Sequence, residues 1–466
     1  MKLKNWLLII YYLIFIILAL WTFYNTTGAK EYFYPPKEEE YSTIDDYDEY
    51  KTERKKKKKK RKFQYNAIPD LGITIIDQNT TADIEKIDYH TFSQLAISSE
   101  FIKAFKYALE VSYNEKMSRY MILLKDLKSN RPKTTGINSM NSNQVRKDEQ
   151  IKEVEEILKF LKTATKKLSL EKIKDDFETI IEDDENGFAS LIGRDNVKDQ
   201  LSRSIFSFSR DPISFISGFQ NMSIYGNSGI GKTKLAKTIA YIYAKTGILA
   251  RRKFRKVGAQ DFSSPYVDEA ASLTQGVFFS TLEGVLFIDE AYDLTPKKNM
   301  LSNNSHKDSA ITKLVELLDD YSGLSIVIVG GYKEPMENDF MTSNEGMKRR
   351  FRINFDLKDY NSKQLTDILI RFLYEYSITI KITPRDADIL YNIIEKLNQD
   401  QVFDKQAGDM QNLATYILET RNSSFTVWGK NEKDNYDILE AGFNEFLESK
   451  GKERYIGRAR DPKRIL

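Results

Sequence analysis

Apolar residues follow two different patterns in the middle of this chain, one typical of strands and one typical of helices. Short apolar runs stand at 222–225, 285–288 and 324–329, and between them apolar residues recur at the three- and four-residue spacing of a helix. Short apolar strands separated by helices predict an α/β core built on a parallel sheet with helices on both faces. We expect a ligand to bind at the carboxyl ends of these strands.

Helical periodicity continues on both sides of this core. Before it, residues 85–183 are predicted to form a helical region, with apolar positions recurring within 92–127 and 145–165. This region is either an adaptor domain, a short coiled-coil stalk or, more simply, two helices that pack together. After the core, three amphipathic helices predict a small lid at 359–425, and residues 426–466 are assigned to a C-terminal tail, whose last stretch, Lys450 to Arg464, is basic and has no clear periodicity.

The N-terminus is apolar in a different way. Trp6 to Tyr24 contains no charged residue and is long enough for one bilayer crossing as a helix. Because this run exceeds the 7–15 residues typical of the apolar part of a signal peptide, we interpret residues 5–24 as a single transmembrane anchor. A cleaved signal peptide, with Lys2 and Lys4 as its basic end, is the alternative.

Charge is distributed unevenly. Residues 25–84 are predicted to be a charged, largely disordered linker, in which residues 51–62 hold ten Lys or Arg against one Glu. The formal net charge is only +3, so the rest of the chain is mildly acidic, which argues against a protein that coats nucleic acid. The chain has no cysteine, which excludes disulfides, zinc–thiolate sites and a cysteine nucleophile.

A phosphate-binding pattern follows the first apolar run. The residues Gly226 to Thr233 read GNSGIGKT and fit G-x-x-x-x-G-K-[S/T], whose backbone amides cradle phosphates. The pattern lies at a strand-to-helix turn, where the unpaired amides and the helix dipole favour an anion. The candidate nucleotide-binding residues are therefore Gly226, Asn227, Ser228, Gly229, Ile230, Gly231, Lys232 and Thr233.

Two carboxylates end the second apolar run. Asp289 and Glu290 directly follow 285–288, so a strand would hold them facing the phosphate-binding turn. We expect Asp289 and Thr233 to bind Mg²⁺, and Glu290 to polarise the attacking water as the catalytic carboxylate.

These motifs together resemble the AAA+ ATPases. The resemblance rests on GNSGIGKT, FIDEAYDL, IVIVGGYKE and NEGMKRRF, covers residues 188–424, and is closest to the CbbX/CfxQ (SpoVK-like) group. It implies a P-loop NTPase core at 186–358, a helical lid, ATP and Mg²⁺ as cofactors, and a homo-oligomeric ring of six subunits that remodels a protein client.

The resemblance also assigns residues away from the phosphate-binding turn. It implies that Arg350, with Arg349 beside it, is an arginine finger that reaches the neighbouring subunit's nucleotide, and that Tyr266 lies in a pore loop. Two positions depart from the family pattern. Asp268 stands where the pore loop usually has Gly, and Gln411 stands where many relatives have a sensor Arg.

The leading hypothesis is a membrane-anchored AAA+ ATPase that hydrolyses ATP to remodel a protein client. Lys2 and Lys4 favour an N-terminus on the cytosolic side, which would place the ATPase domain on the opposite side of the membrane. Because ATP is found inside the cell, we nevertheless expect the ATPase domain to face a cytosolic or equivalent ATP-containing compartment. One alternative is an ATP-dependent assembly scaffold or switch with little turnover. A third hypothesis, motivated by the basic block, is a nucleic-acid-stimulated ATPase, and it ranks last.

Overall fold

The computed structural model describes most of the chain beyond residue 86. The described ranges are 87–129, 142–218, 220–262, 267–295, 305–377, 380–423 and 432–454. The predicted anchor at 5–24, the linker at 25–84 and Tyr266 all lie outside them. Within these ranges, no helix combines the length and the apolar character needed to cross a bilayer.

The core is a sheet of five parallel strands in the order β2-β3-β4-β1-β5. The strands are β1 (Met222–Tyr225), β2 (Phe254–Val257), β3 (Val285–Ile288), β4 (Ile326–Gly331) and β5 (Ile353–Asp356). The predicted parallel α/β core is confirmed. The apolar runs became the three central strands, which are fully buried. The edge strands β2 and β5 were not predicted, because they are partly exposed and mix polar with apolar residues.

Helices precede and separate the strands. They are α1 (Tyr89–Leu95), α2 (Ser99–Ser129), α3 (Ser142–Lys166), α4 (Leu170–Glu182), α5 (Asp195–Arg210), α6 (Pro212–Ser217), α7 (Lys232–Lys245), α8 (Val267–Phe279), α9 (Ser305–Asp320) and the short α10 (Met347–Arg350). Buried residues between Ile87 and Leu357 form one hydrophobic cluster. The helices α1 to α4 therefore pack against the α/β core and share its interior, so they form a layer of this unit rather than a stalk.

Aromatic side chains make much of this shared interior. Phe105 on α2 contacts Phe177 on α4 edge-on at 4.9 Å and Phe208 on α5 at 5.4 Å, between ring centroids. All three rings are fully buried. Edge-to-face contacts of this kind stabilise a core by ~0.5–1.5 kcal/mol beyond the area they bury.

A buried ion pair ties α2 to the entrance of β3. The Lys116 ammonium lies 2.7 Å from the Glu283 carboxylate, and the two side chains are 1% and 0% exposed. Lys116 also donates to the carbonyl of Ile248, while Glu283 accepts from the Tyr120 hydroxyl and the Ala250 amide. The charges are thus compensated, as burial requires.

The lid is a second hydrophobic cluster formed by four helices. They are α11 (Ser362–Tyr376), α12 (Pro384–Gln399), α13 (Ala407–Ser423) and α14 (Glu432–Ser449). The helix α14 lies beyond the predicted lid boundary at residue 425, in the predicted tail, and it packs on α13, where Gly442 lies against Ile417. The apolar stripe of α14 at Leu439, Phe443, Phe446 and Leu447 has helical spacing and could have indicated a fourth helix.

We expect Lys116→Met to lower the free energy of unfolding by about 3–5 kcal/mol, because it leaves the Glu283 carboxylate buried without its cation. Urea unfolding followed by circular dichroism measures this loss. The matched control is Glu110→Gln, which removes a partly exposed ion pair with Lys106 at 2.9 Å and should cost less than ~1 kcal/mol. Equal losses in the two variants would contradict the role given to Lys116.

Candidate functional site

The phosphate loop, Gly226–Thr233, connects β1 to α7. Gly229 and Gly231 have φ angles of 73° and 99°, which residues with a Cβ rarely adopt. The helix α7 begins at Lys232, so its unpaired amides face the loop. The Lys232 ammonium donates to the loop's own carbonyls, at 2.9 Å from Gly226 O and 3.3 Å from Asn227 O.

Each of the two predicted carboxylates lies near a lysine ammonium. Glu290 Oε1 lies 3.7 Å from the Lys232 ammonium, and Asp289 Oδ2 lies 2.7 Å from the ammonium of Lys256 on β2. Glu290 is a non-glycine residue with φ 49°, a sparsely populated conformation that the surrounding structure must support. The two sequence motifs therefore meet at the carboxyl edge of the sheet.

Two oxygens at this edge are buried without a hydrogen-bond partner among the described residues. They are Asp289 Oδ1 and Glu290 Oε2. A buried carboxylate oxygen without a donor is costly, and carboxylate and hydroxyl oxygens are ligands that Mg²⁺ prefers. Asp289, together with the hydroxyl of Thr233, therefore fits a magnesium ion accompanying a bound nucleotide.

Aromatic residues line the end of β4. A Cβ on Gly331 would lie 2.9 Å from the ring of Tyr292, and one on Gly330 would lie 2.9 Å from the ring of Phe287, which explains the two glycines. The Tyr332 ring lies 6.5 Å from Tyr292. Burial, followed by interaction with the Glu290 carboxylate, raises the pKa of Tyr292 well above its ordinary value, so its hydroxyl stays protonated beside that carboxylate.

The two neighbouring arginines at the end of α10 differ in exposure. The Arg350 side chain is 4% exposed and forms an ion pair with Asp319 at the end of α9, with Nε 2.9 Å from Oδ1. It also donates to the carbonyl of Gly346 at 2.7 Å. Arg349 is 65% exposed and lies 3.9 Å from the same Asp319. Of these two arginines, Arg349 is therefore the one exposed to solvent.

The lid touches the phosphate loop directly. The amide of Gly408, in the first turn of α13, donates to Gly229 O at 3.2 Å. Gln411, at the position of the family's sensor arginine, is exposed and donates to the Tyr376 hydroxyl within the lid at 2.7 Å. The pore-loop candidate Tyr266 lies outside the described residues, and of Asp268 only the backbone, within α8, is described.

Among the residues that contact the phosphate loop and that the sequence motifs do not include are an arginine and a tyrosine. Arg194 and Tyr360 both donate to the carbonyl of Ile230. Neither belongs to a phosphate-binding pattern, since they stand 36 and 130 residues from Ile230 in the chain. Only their positions in the chain could have indicated a role, because Arg194 precedes α5 and Tyr360 lies at the junction of core and lid.

Comparisons with known proteins agree with this geometry. Residues 222–353 match the profile of the ATPase family associated with various cellular activities (AAA). The chain is 30% identical over 195 residues to the ESX-3 secretion system protein EccA3 of Mycobacterium leprae, a match that covers 41% of this chain and 30% of that protein. The chain thus spans less than a third of the length of this relative.

Two smaller relatives belong to the group that the sequence motifs resemble. The chain is 27% identical over 230 residues to stage V sporulation protein K of Bacillus subtilis, covering 44% of this chain and 69% of that protein. It is 33% identical over 176 residues to the protein CfxQ homolog of Galdieria sulphuraria, covering 38% and 56% respectively. The resemblance to AAA+ ATPases of the CbbX/CfxQ group is confirmed.

We expect Gly229→Ala to weaken nucleotide binding about tenfold or more, because the added Cβ would lie 2.0 Å from Lys405 O in the lid at a backbone angle that strains alanine. Titration with a fluorescent ADP analogue measures the effect. The matched control is Gly276→Ala on α8, whose Cβ would meet nothing within 4 Å. It should bind normally and gain ~0.5–1 kcal/mol in stability. Unchanged affinity in Gly229→Ala would contradict the described contact.

Proposed function

We propose that this chain, whose residues 222–353 form an AAA ATPase domain, binds ATP with Mg²⁺ and hydrolyses it in a ring of identical subunits. The observation that carries the proposal is the approach of Glu290 to Lys232, at 3.7 Å between carboxylate oxygen and ammonium. These residues come from two motifs more than fifty positions apart in the chain. Their meeting supports one reaction centre.

Each residue has a role that its chemistry supports. Lys232 leaves its loop carbonyls to contact the β- and γ-phosphates, and the amides from Gly226 to Thr233 hold the phosphate chain. Thr233 and Asp289 would hold Mg²⁺, which would supply neutralisation of charge on the phosphates. Glu290 orients and polarises the attacking water. Lys256, which now pairs with Asp289, must release that carboxylate when the metal binds.

An arginine from a neighbouring subunit completes the site in this proposal. Arginine fingers stabilise the charge that develops during phosphoryl transfer, and the finger must project from the surface of its own subunit. Arg350 was the sequence-based choice, but its guanidinium pairs with Asp319. We therefore assign the finger to the exposed Arg349, with Arg350 holding α10 against α9. A ring, of six subunits as in the resemblance, follows from a site shared in this way.

The work done by the ring is the remodelling of a protein client beside a membrane. The apolar segment 5–24 supports a membrane anchor, with the ATPase domain in an ATP-containing compartment. Tyr266 remains the candidate for contacting the client in the pore, although Asp268 replaces the usual glycine. The EccA3 relative is named as a secretion system protein, which is compatible with a protein client.

A second function is favoured by one observation. The amide of Gln411 is engaged by Tyr376 inside the lid, and an amide carries no charge with which to contact a γ-phosphate. A chain whose lid responds weakly to hydrolysis would serve as an ATP-dependent scaffold or switch. Sustained ATPase turnover well above background in the wild-type chain would exclude this second function.

We expect Glu290→Gln to bind ATP normally and to lose turnover by about 100-fold or more, because an amide cannot polarise the attacking water. Phosphate release and nucleotide titration, measured on the same preparation, separate the two effects. Lys232→Ala is the contrasting variant and should lose ATP affinity itself. Wild-type turnover in Glu290→Gln would refute the assigned mechanism.

We expect Arg349→Ala to abolish ATP hydrolysis in the assembled ring without changing the unfolding midpoint. Mixing it with Lys232→Ala subunits should restore partial activity, because each Lys232→Ala subunit supplies a finger to a neighbour with an intact phosphate loop. Arg350→Ala should lower the unfolding midpoint, because it leaves Asp319 without its bonded arginine. If Arg350→Ala were rescued by mixing and Arg349→Ala were fully active, the finger would be Arg350.

A further inference from the structure

Arg194 lies between the phosphate loop, the core–lid junction and a tyrosine ring. Its guanidinium donates to Lys358 O at 2.6 Å and to Ile230 O at 3.2 Å. Its central carbon lies 3.9 Å from the centroid of the Tyr360 ring. The residue is only 6% exposed, so the planar guanidinium is held on one face by the ring and at its edge by two carbonyls.

The charge of this guanidinium is not neutralised by a carboxylate. Among the described residues, no Asp or Glu forms an ion pair with Arg194. A buried cation normally pairs with an anion, and here its contacts are carbonyl oxygens and a ring. Its positive charge therefore adds to that of Lys232 at a loop expected to hold a phosphate chain.

The carbonyl of Ile230 accepts a second hydrogen bond on the same side. The Tyr360 hydroxyl donates to it at 3.3 Å. In a trans peptide the carbonyl and the following amide point in opposite directions. Two donors outside the loop therefore direct the amide of Gly231 toward the other side, where the loop's amides surround the phosphate position.

The neighbouring carbonyl of the loop is also held from the lid. Gly229 O accepts from the Gly408 amide at 3.2 Å, and the Tyr360 amide donates to the side chain of Gln406 at 3.0 Å. Residues 405–408 therefore contact both the loop and Tyr360. This route between the lid and the phosphate loop uses the loop carbonyls and the Gln406 side chain, and does not involve Gln411.

We propose that Arg194 and Tyr360 are positioning residues that orient the Ile230–Gly231 peptide for phosphate binding and couple the lid to the phosphate loop in place of a sensor arginine. The proposal rests on the proposed function, in that residues 226–233 must bind a nucleotide phosphate chain. It predicts a change in nucleotide affinity larger than any change in the chemical step, because the Gly231 amide contacts phosphate before and during hydrolysis alike.

The test compares three single variants in the full-length chain. Arg194→Met removes both carbonyl bonds while keeping an unbranched side chain, and should weaken ATP and ADP binding about tenfold. Tyr360→Phe keeps the ring and removes only the hydroxyl, and should weaken binding about threefold. In both variants kcat at saturating ATP should stay within about threefold of wild type while KM rises.

The matched control is Arg371→Met. Arg371 on α11 also donates to a core carbonyl, that of Ser190, at 3.1 Å, but within the described part of the chain it makes no hydrogen bond to the phosphate loop. Normal nucleotide affinity in Arg371→Met beside weakened affinity in Arg194→Met supports the proposal. Equal losses in these two variants overturn it, because they would report general core–lid packing, and wild-type affinity in Arg194→Met overturns it as well.

Two further outcomes are decided in the same experiment. If Arg194→Met does not fold, Tyr360→Phe decides: weaker ATP binding at an unchanged unfolding midpoint supports the proposal, and unchanged binding overturns it. A wild-type chain that binds no ATP refutes the proposed function itself. A wild-type chain that binds ATP, with variants that bind equally well, refutes only the roles of Arg194 and Tyr360.

Discussion

The parallel register of the sheet is the constraint on which the candidate site depends. Tyr225 pairs with Gly331 and with Asp356, and Ile288 pairs with Val329. The carboxyl ends of β1, β3 and β4 therefore reach the same edge of the sheet. Since the phosphate loop follows β1 and the two carboxylates follow β3, both motifs lie at this edge, where Lys232 is 3.7 Å from Glu290.

Charges at this edge are held by partners that a bound nucleotide must displace or supplement. Lys232 donates hydrogen bonds to two loop carbonyls, and Lys256 forms an ion pair with Asp289. In the proposed function, phosphate oxygens would replace the carbonyls at Lys232, and a metal ion would replace Lys256 at Asp289. Arg194 is different, because its partners are carbonyls that shape the loop and need not be exchanged. Lys232 would therefore contact the nucleotide, while Arg194 would set the geometry of the phosphate loop.

The N-terminal helices and the lid differ in how they pack against the core that carries this site. The helices α1 to α4 share one hydrophobic interior with the sheet, and Glu283 joins α2 to the entrance of β3, at the end opposite to Asp289. The lid has its own interior, against which Ile192 and Tyr360 pack, and Arg371 and Gly408 donate hydrogen bonds to core carbonyls. A unit with a separate interior moves at lower cost than one that shares a core, so the lid is the element suited to respond to nucleotide.

The sequence by itself determined those features of the protein that a local pattern of residues can specify. The apolar runs predicted the buried central strands, and the phosphate loop with Asp289 and Glu290 predicted the reaction centre, because their residue types and order follow from chemistry and from strand–helix alternation. The edge strands and α14 were missed, since mixed polarity hides partly buried elements. Only the tertiary structure decided that Arg349 is exposed while Arg350 is buried, and that Lys116 forms an ion pair with Glu283. It also decided that Arg194 and Tyr360 donate hydrogen bonds to the carbonyl of Ile230. Each depends on contacts between residues distant in the chain, on which local periodicity carries no information.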